Sequence, residues 1–292
     1  MTALTVPSHA NEEAALEDVH WKEVNAEFGG QDEEQSSSDD NDQEPSKYRH
    51  MEFDFEELNN AITLRTVTSK GSSSGLAVWT CSQILSAYLL EHARLVRGRS
   101  VLELGAGLGL TGIVAHVLGA AHVCLTDGDV DVLHNLRYNV QYNNSDNKGT
   151  VACPQLVWGH EHVPTFAQTH GAQHDVILAA DVFYASHLVQ PLWQTVDALL
   201  APDGRFLLGF APHAVSAHVV LEAARTAGFT WSSPNICHNS DDEKDEDDNN
   251  DECFDDFVPG SHDFGYHVFC FKRIAQQQKT LCCGFTKSEI LK

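Results

Sequence analysis

Apolar positions along the chain alternate between short continuous runs and longer segments that are apolar on one face only. Short continuous runs are typical of strands buried on both faces of a parallel sheet, and they lie at 100–105, 122–127, 154–159, 174–181 and 205–212. Segments with an apolar residue every three or four positions predict helices, and they lie at 79–95, 110–119, 129–143, 187–200 and 216–229. This alternation predicts an α/β fold, a doubly wound and mostly parallel sheet covered by helices on both faces.

The last part of the chain does not keep this rhythm. Residues 230–236 and 265–274 are both strand-like, and an acidic stretch instead of a helix joins them. Two strands without a crossover helix between them form an antiparallel pair, so the sequence predicts a seven-stranded sheet with an antiparallel last strand. Upstream, the apolar and β-branched residues of 51–69 predict one or two further strands, and the Gly/Ser-rich residues 70–75 predict a hinge.

The negative charge is concentrated in two segments. The formal net charge is −24. Residues 1–50 contribute −10, from 13 acidic and 3 basic residues, and residues 240–256 contribute another −10, from 11 acidic residues and Lys244. The first segment is too polar and charged to repay the entropy of ordering, which predicts a disordered tail. Because a negative surface repels a phosphate backbone, the charge favours a basic protein over nucleic acid as partner.

The cysteines and the first residues bear on the compartment. The eight cysteines form no CxxC pair and several lie in strand-like runs, as expected of reduced structural thiols in an intracellular protein. The chain lacks the basic-then-apolar order of a signal peptide, and no apolar run reaches the ~20 residues that span a bilayer. We therefore expect a cytoplasmic, monomeric protein without a membrane partner, and the nucleus stays open as a second compartment.

The strongest chemical signal is the segment Glu103–Gly109, ELGAGLG, directly after a predicted strand and directly before a predicted helix. Ligands of doubly wound sheets bind at such turns, and glycines there let the backbone approach a ligand closely. The dinucleotide fingerprint needs a further glycine where this chain has Leu110, which disfavours a nicotinamide dehydrogenase. The tighter glycine pattern after an acidic residue favours S-adenosylmethionine, a cofactor without a pyrophosphate.

Asp127 ends the next predicted strand, 22 residues after Gly105. An acidic residue at this place accepts hydrogen bonds from ribose hydroxyls. The alternative role, capping the next helix, is one that Asp129 fills as well. Strand, glycine turn, helix, strand and acid occur in the expected order, which predicts that Asp127 binds the cofactor.

Three further motifs are more specific: GLAVW at 75–79, LVWG at 156–159 and ADVFY at 180–184. Together with LTDGDVDVLHNLRYNV and FAPH, they resemble the seven-β-strand, S-adenosylmethionine-dependent protein-lysine methyltransferases. That group includes the methyltransferase-like 21, calmodulin-lysine and elongation-factor 2 lysine methyltransferases. The similarity covers roughly residues 75–273, with the acidic stretch as an insertion. It implies a Rossmann-like methyltransferase fold and methyl transfer to a lysine side chain of a protein substrate.

The resemblance also implies roles for individual residues. The cofactor-binding set that it implies is Trp79, Glu103, Gly105, Ala106, Gly107, Asp127, Trp158 and Ala180. Within this set, the glycines approach the methionine part, Asp127 holds the ribose and Trp158 flanks the adenine. Asp181 and Tyr184 match the D-x-x-Y signature of the group near the site of methyl transfer, and they are the predicted catalytic residues.

Simpler explanations exist for several of these side chains. Trp79 and Trp158 are also suited to an apolar core, and Asp181 to capping a helix that begins near Ser186. Glu103 is predicted to reach the amino group of the cofactor either directly or through water. The 17 histidines show no HExxH or comparable spacing, so no metal site is expected.

Other functions fit the same fold, because a fold does not fix a substrate. One is a methyltransferase that acts on a small molecule or on another side chain, and another is a catalytically silent cofactor-binding scaffold. The predicted organisation has a disordered acidic tail at 1–50, an extension and hinge at 51–74, a methyltransferase domain at 75–274 with an acidic insertion at 239–257, and a C-terminal tail at 275–292.

Overall fold

The computed structural model describes residues 20–24, 48–67, 73–144, 149–212, 214–234, 254–255 and 265–274. The predicted C-terminal tail and most of the predicted acidic insertion lie outside these residues. Within the described ranges the chain forms a three-stranded sheet near its beginning and a larger sheet that carries the predicted fold.

The strands of the larger sheet are β4 (Ser100–Leu104), β5 (His122–Thr126), β6 (Thr150–Ala152), β7 (His174–Ala180), β8 (Leu200–Phe210), β9 (Phe229–Pro234), β10 (Phe254–Asp255) and β11 (His267–Arg273). Their order in space is β10-β9-β11-β8-β7-β4-β5-β6. The strands from β8 to β6 run parallel, whereas β11 is antiparallel to both β8 and β9. The predicted seven-stranded, mostly parallel sheet with an antiparallel last strand is confirmed, and the two-residue β10 extends its edge.

Six α-helices of the described part cover the sheet: α1 (Thr80–Glu91), α2 (Leu110–Val117), α3 (Val130–Asn143), α4 (Val163–His170), α5 (Val189–Leu199) and α6 (Ala217–Thr226). Successive strand residues such as Val101 and Leu102 are both buried but belong to two different apolar clusters. One cluster holds α1, α2 and α3, and the other holds α4, α5 and α6. Both faces are therefore covered, which explains the nearly continuous apolar runs of the strands.

Trp193 of α5 fixes the antiparallel end of the sheet to the parallel part. Its buried ring lies 5.5 Å from Phe206 of β8, 5.4 Å from Phe229 of β9 and 4.9 Å from Phe271 of β11. Aromatic rings at these separations attract one another beyond the burial of their area. None of the described helices is long and apolar enough to cross a bilayer.

The smaller sheet consists of β1 (His20–Val24), β2 (Tyr48–Asp54) and β3 (Ile62–Val67), in that order and antiparallel throughout. One or two strands were predicted within 51–69, and the structure has β2 and β3 there, with β2 beginning three residues earlier at Tyr48. β1 and the first residues of β2 fall within the range predicted to be a disordered tail, and there the structure differs from the prediction. β1 is ordered by backbone pairing with the free edge of β2. The charge composition of residues 1–50 does not reveal that this edge is available.

The third strand of the parallel sheet is misplaced in the sequence prediction. It was expected at 154–159, whereas the structure has β6 at Thr150–Ala152. Within the expected range Gln155 forms an isolated bridge to Asp127. Pro154 has no backbone N–H to donate to a ladder, which limits pairing there. The sequence prediction also missed α4, which follows this segment.

Candidate active site

A cavity of about 860 Å³ lies at the carboxyl ends of β4, β5 and β7. β4 pairs with β5 on one side and with β7 on the other, so the strand order reverses there. Ligands of doubly wound sheets bind at this reversal point, and the volume is typical of small-molecule sites. The cavity wall combines the loops that follow these strands with the segment that leads into α1.

The loop between β4 and α2 depends on its glycines for conformation and for space. Gly105 and Gly107 have positive φ angles of 67° and 55°. A Cβ atom at Gly105 would lie 3.0 Å from Val182 Cγ1 and 3.1 Å from Trp158 Cζ2. One at Gly107 would lie 3.1 Å from the Gly75 carbonyl oxygen. The bare backbone of this loop therefore forms part of the cavity wall, where a ligand can approach it closely.

Asp127 links the glycine loop to the beginning of α3. The Gly107 N–H donates to its Oδ2 at 3.1 Å, and the Asp129 N–H donates to its Oδ1 at 3.0 Å. Burial raises the pKa of Asp127, although these N–H donors favour the charged form. The cap of α3 is Asp129, whose side chain accepts from the Asp131 N–H at 2.9 Å. A carboxylate oxygen can accept two hydrogen bonds, so Asp127 can still accept hydrogen bonds from a ligand.

Glu103 lines the cavity but is bonded towards α2. The side chain is 2% exposed, and its Oε2 accepts from the Gly112 N–H at 3.0 Å. Burial raises the pKa of Glu103 to about 8, against the opposing effect of that N–H donor. The described contact is thus with the first turn of a helix, where a carboxylate is favourable. A contact with the cofactor stays a prediction.

Trp79 stands at the cavity wall, outside the core clusters. It directly precedes α1, its side chain is 47% exposed, and its Nε1 donates to the Ser74 carbonyl at 3.0 Å. That hydrogen bond fixes the ring against the short 3-10 turn Ser74–Leu76, which also lines the cavity. The alternative of a simple core aromatic is excluded by this exposure.

Trp158 is half-buried between the cavity and the cluster around α5. Its ring lies beside Gly105, where an added Cβ atom would press against it. Its Nε1 is buried and has no hydrogen-bond partner in the structure. A buried donor without a partner is costly, so the position of this ring carries an energetic cost. Ala180, the last residue of β7, completes this part of the wall.

Asp181 follows β7 and has a strained backbone. Among the described residues it is the one non-glycine residue with positive φ, at 56°. Its N–H donates to the Gly209 carbonyl at 2.9 Å. The next 3-10 turn, Ser186–Leu188, begins after Ala185 without a side-chain cap, so capping does not explain Asp181. Strain of this kind is concentrated at functional sites.

Tyr184 lies at the mouth of the cavity. Its side chain is 61% exposed, yet it lines the same cavity as Asp127 and Asp181. Partial burial and, after it, the negative charge of Asp127 raise the pKa of Tyr184. A phenol that keeps its proton at neutral pH can donate a hydrogen bond to a ligand at the mouth.

The charged groups of the cavity wall all carry the same sign. The carboxyl side chains are those of Glu103, Asp127, Asp129 and Asp181, of which Glu103, with its pKa of about 8, is mostly protonated at neutral pH. None of the lining residues that the structure describes is Lys or Arg. A wall of this composition favours a positively charged ligand. Across the described residues, no group of three or more His, Cys, Asp or Glu side chains is arranged to hold a metal ion.

The cavity brings together every predicted site residue. These are Trp79, Glu103, Gly105, Ala106, Gly107, Asp127, Trp158, Ala180, Asp181 and Tyr184. Lining residues that sequence reasoning did not single out include Ser82, Val157, His187, Leu188, Pro191 and Ala214. Most of these lie on α1, near the beginning of α5 or after β8, where the sequence does not show which side chains face the cavity. Val157 was within reach, since it lies inside the LVWG motif.

The strand order of the sheet and the position of the cavity are those of the Rossmann-like methyltransferase fold. Among solved structures, the chain is similar to the 16S rRNA N2 G1207 methyltransferase RsmC of T. thermophilus, in complex with AdoMet and guanosine. The TM-score is 0.51 at 20% identity, over 79% of this chain and 52% of that one. At this identity the likeness shows the fold alone.

Residues 58–223 match the model of the lysine methyltransferase family, and the chain belongs to that family. It is 32% identical over 164 residues to the protein N-terminal and lysine N-methyltransferase EFM7 of Yarrowia lipolytica, over 50% of this chain and 60% of that protein. It is 38% identical over 132 residues to the protein N-lysine methyltransferase METTL21A of Mus musculus, over 45% of this chain and 58% of that protein. The match thus spans less than two thirds of either relative.

Proposed function

We propose that the protein is an S-adenosylmethionine-dependent methyltransferase that transfers methyl groups to a lysine side chain of a protein substrate. The carrying observation is that the glycine loop, Asp127 and the strained Asp181 share one cavity at the reversal point of the sheet. Family membership supports the lysine acceptor. The acidic wall supports a cationic acceptor and a cationic cofactor.

The residues of the cavity fit S-adenosylmethionine. Gly105 and Gly107 line the cavity with bare backbone in the left-handed region, which suits close approach of the methionine part. Asp127, at the end of β5, has lone pairs for the ribose hydroxyls. Trp158 lines the cavity and offers an aromatic face for the adenine. Trp79 and Ala180 also line the cavity.

The reaction needs alignment more than covalent help from the protein. When bound, S-adenosylmethionine supplies its methyl group: the lysine nitrogen lone pair forms the new N–C bond, the C–S bond breaks, and its electron pair stays on sulfur. The ammonium must first lose a proton, because only the neutral amine has a lone pair. Holding the two reacting atoms in line removes a large part of the barrier.

Asp181 and Tyr184 orient the acceptor in this proposal. The left-handed φ and the bond to Gly209 fix the backbone of Asp181, whose carboxylate accepts a hydrogen bond from the amine. Tyr184 positions the lysine stem at the mouth of the cavity. Desolvation of the amine in the partly apolar cavity and the neighbouring positive charge both lower the amine pKa and favour its neutral form.

The substrate proposed is a protein with a basic surface around the target lysine. Net charge of −24 raises the local concentration of a positive partner and repels nucleic acid. We place the enzyme in the cytoplasm, with the nucleus as a second compartment, and expect it to act as a monomer. The absence of a membrane-spanning helix among the described residues does not bear on this choice.

The test is transfer of radiolabelled methyl from S-adenosylmethionine into whole-cell protein extract, resolved by size. Asp127→Ala is expected to lose both S-adenosylhomocysteine binding and labelling, and Asp181→Asn to retain binding and lose labelling. Asp203→Asn, an exposed carboxylate near the beginning of β8 on the opposite edge of the sheet, is the matched control and is expected to label normally.

A discrete band lost in both site variants supports the proposal, and mass spectrometry of that band identifies the modified residue. Label on a side chain other than lysine, or in the small-molecule fraction only, overturns the lysine acceptor. S-adenosylhomocysteine binding without any label in extract identifies a silent scaffold instead.

A further inference from the structure

A second hydrogen-bonded assembly lies between the small sheet and α3. Asn135, Asn139 and Asn143 are spaced four residues apart along α3, on the side that faces β3. We call them the asparagine ladder. Four helical residues rise about 6 Å and two strand residues about 6.6 Å, so this spacing matches alternate residues of a strand.

The ladder binds the backbone of β3. Asn143 accepts from the Thr63 N–H at 3.0 Å and donates to the Thr63 carbonyl at 2.8 Å. Asn139 repeats this pairing two strand residues further on, accepting from the Arg65 N–H at 2.8 Å and donating to its carbonyl at 3.2 Å. Asn135 donates to the same carbonyl at 2.6 Å and accepts from Arg65 Nε at 2.6 Å. The side-chain amides thus extend the sheet in place of a fourth strand.

Among the three asparagines, Asn139 alone is also bonded to the glycine loop between β4 and α2. Its second amide hydrogen is donated to the Leu108 carbonyl at 3.0 Å, and Leu108 stands between Gly107 and Gly109. The Asn139 side chain is fully buried. In Asn143 the corresponding hydrogen is donated within α3, to the Asn139 carbonyl at 2.7 Å. Asn139 therefore joins β3 directly to the glycine loop, and Asn143 does not.

A second bond joins β3 to the neighbouring segment of the cavity wall. The Thr66 hydroxyl donates to the Leu76 carbonyl at 2.6 Å. Leu76 belongs to the 3-10 turn whose Gly75 carbonyl packs against Gly107. Neighbouring residues of β3 thus hold the glycine loop and the segment that leads to Trp79.

We propose that β3 is the template that sets the distance between these two parts of the cofactor pocket, with Asn139 and Thr66 as positioning residues. The inference rests on the proposed function, because the pocket concerned is the S-adenosylmethionine pocket. Neither residue lines the cavity. Their effect is therefore on the affinity for the cofactor, through the shape of the wall, and not on the methyl-transfer step.

The test compares Asn139→Ala with Asn143→Ala in the full chain. Binding of S-adenosylhomocysteine is measured by isothermal titration calorimetry, and thermal unfolding of the free proteins reports stability. Both variants lose hydrogen bonds to β3, so both are expected to unfold at lower temperature. Asn139→Ala also loses the bond to the glycine loop and is expected to bind about tenfold more weakly, whereas Asn143→Ala stays within about twofold of the wild type.

Thr66→Val gives an independent measurement at a partly buried residue, and this variant is expected to fold. It is expected to weaken S-adenosylhomocysteine binding about fivefold and to raise KM for S-adenosylmethionine while kcat is kept. If Asn139→Ala does not fold, this variant decides the matter.

Three results would overturn the inference. Wild-type affinity in Thr66→Val, or in a folded Asn139→Ala, would show that the bonds from β3 do not set the pocket. Equal weakening in Asn139→Ala and Asn143→Ala would show that the ladder acts through general stability. Failure of the wild type itself to bind S-adenosylhomocysteine is a different result, because it removes the proposed function and this inference with it.

Discussion

Gly105 is the residue at which backbone conformation and cavity shape depend most directly on each other. Its φ of 67° strains any side chain, and a Cβ atom there would lie 3.0 Å from Val182 Cγ1. We predict that Gly105→Ala lowers the free energy of unfolding by about 1–2 kcal/mol and weakens S-adenosylhomocysteine binding at least tenfold.

Gly98→Ala separates these two effects. Gly98 has a similar φ of 70°, but no atom lies within 4 Å of an added Cβ atom and the residue does not line the cavity. It is expected to lose about the same stability, on the order of 1–2 kcal/mol, with unchanged affinity in calorimetry. Equal affinity in both variants would contradict the role given to the Gly105 backbone.

Glu103 makes the stability of the fold depend on pH. Its folded pKa of about 8 lies above its ordinary value of 4.5, because burial disfavours the charge. Between these values the unfolded chain is ionised while the folded one keeps its proton, so the free energy of unfolding falls as pH rises. Below 4.5 both states are protonated and the effect vanishes.

We predict that Glu103→Gln flattens this dependence. Urea unfolding at pH 5, 6.5 and 8 is expected to show the wild type losing stability towards pH 8 relative to the variant. The comparison isolates Glu103, since the other titrating groups are common to both proteins. A parallel pH response in the two proteins would mean that Glu103 is ionised throughout the folded state.

At the scale of elements, α1 lies unusually close to β8. A Cβ atom at Gly209 of β8 would stand 2.7 Å from the Cys81 carbonyl oxygen of α1, a backbone atom that cannot move without the helix. We predict that Gly209→Ala lowers the free energy of unfolding by about 1–3 kcal/mol, as overpacking does. Gly128→Ala, where the nearest atom would be 3.8 Å away, is the control for chemical denaturation. Wild-type stability in Gly209→Ala would show that α1 shifts freely.

Most of the order of the elements was predictable because strand and helix periodicities differ, although α4 between β6 and β7 was missed. The misplaced third strand shows where that information ends. Residues 154–159 are as apolar as a buried strand, but they serve the cavity: Leu156 and Trp158 line it. The hydrophobicity of a segment indicates that its residues are buried, but it does not distinguish burial in a sheet from burial against a ligand. β6, with its exposed and partly exposed residues, carries no such signal.

That the glycine loop and Asp127 lie at one cavity was predictable from local motifs, since ligands of doubly wound sheets bind where such residues follow the strands. The asparagine ladder was not. Asn139 and Asn143 look like the polar face of an amphipathic helix, and their partners in β3 lie 74 and 80 residues away. The sequence does show asparagine at every fourth position of α3 from Asn135 to Asn143. That spacing indicates a hydrogen-bonded contact only once the strand facing the helix is known.

At the scale of the whole molecule, charge acts on encounter with the substrate. A net charge of −24 attracts a basic protein over a distance that salt shortens. We predict that kcat/KM for a basic protein substrate falls about tenfold between roughly 20 and 200 mM salt. Affinity for S-adenosylhomocysteine, which binds inside the cavity, is expected to change less than about twofold over the same range. A substrate peptide without basic flanking residues serves as control, and an equal salt response from it would contradict long-range attraction.

The asparagine ladder also has a consequence for how the chain behaves among its own copies. β3 ends the small sheet, and a strand in that place offers outward N–H and carbonyl groups to any extended segment that it meets. Asn143 and Asn139 bind the outward N–H and carbonyl groups of Thr63 and Arg65. These backbone groups are therefore not available to pair with a strand of another chain. The same amides thus protect this edge of the folded chain from edge-to-edge aggregation.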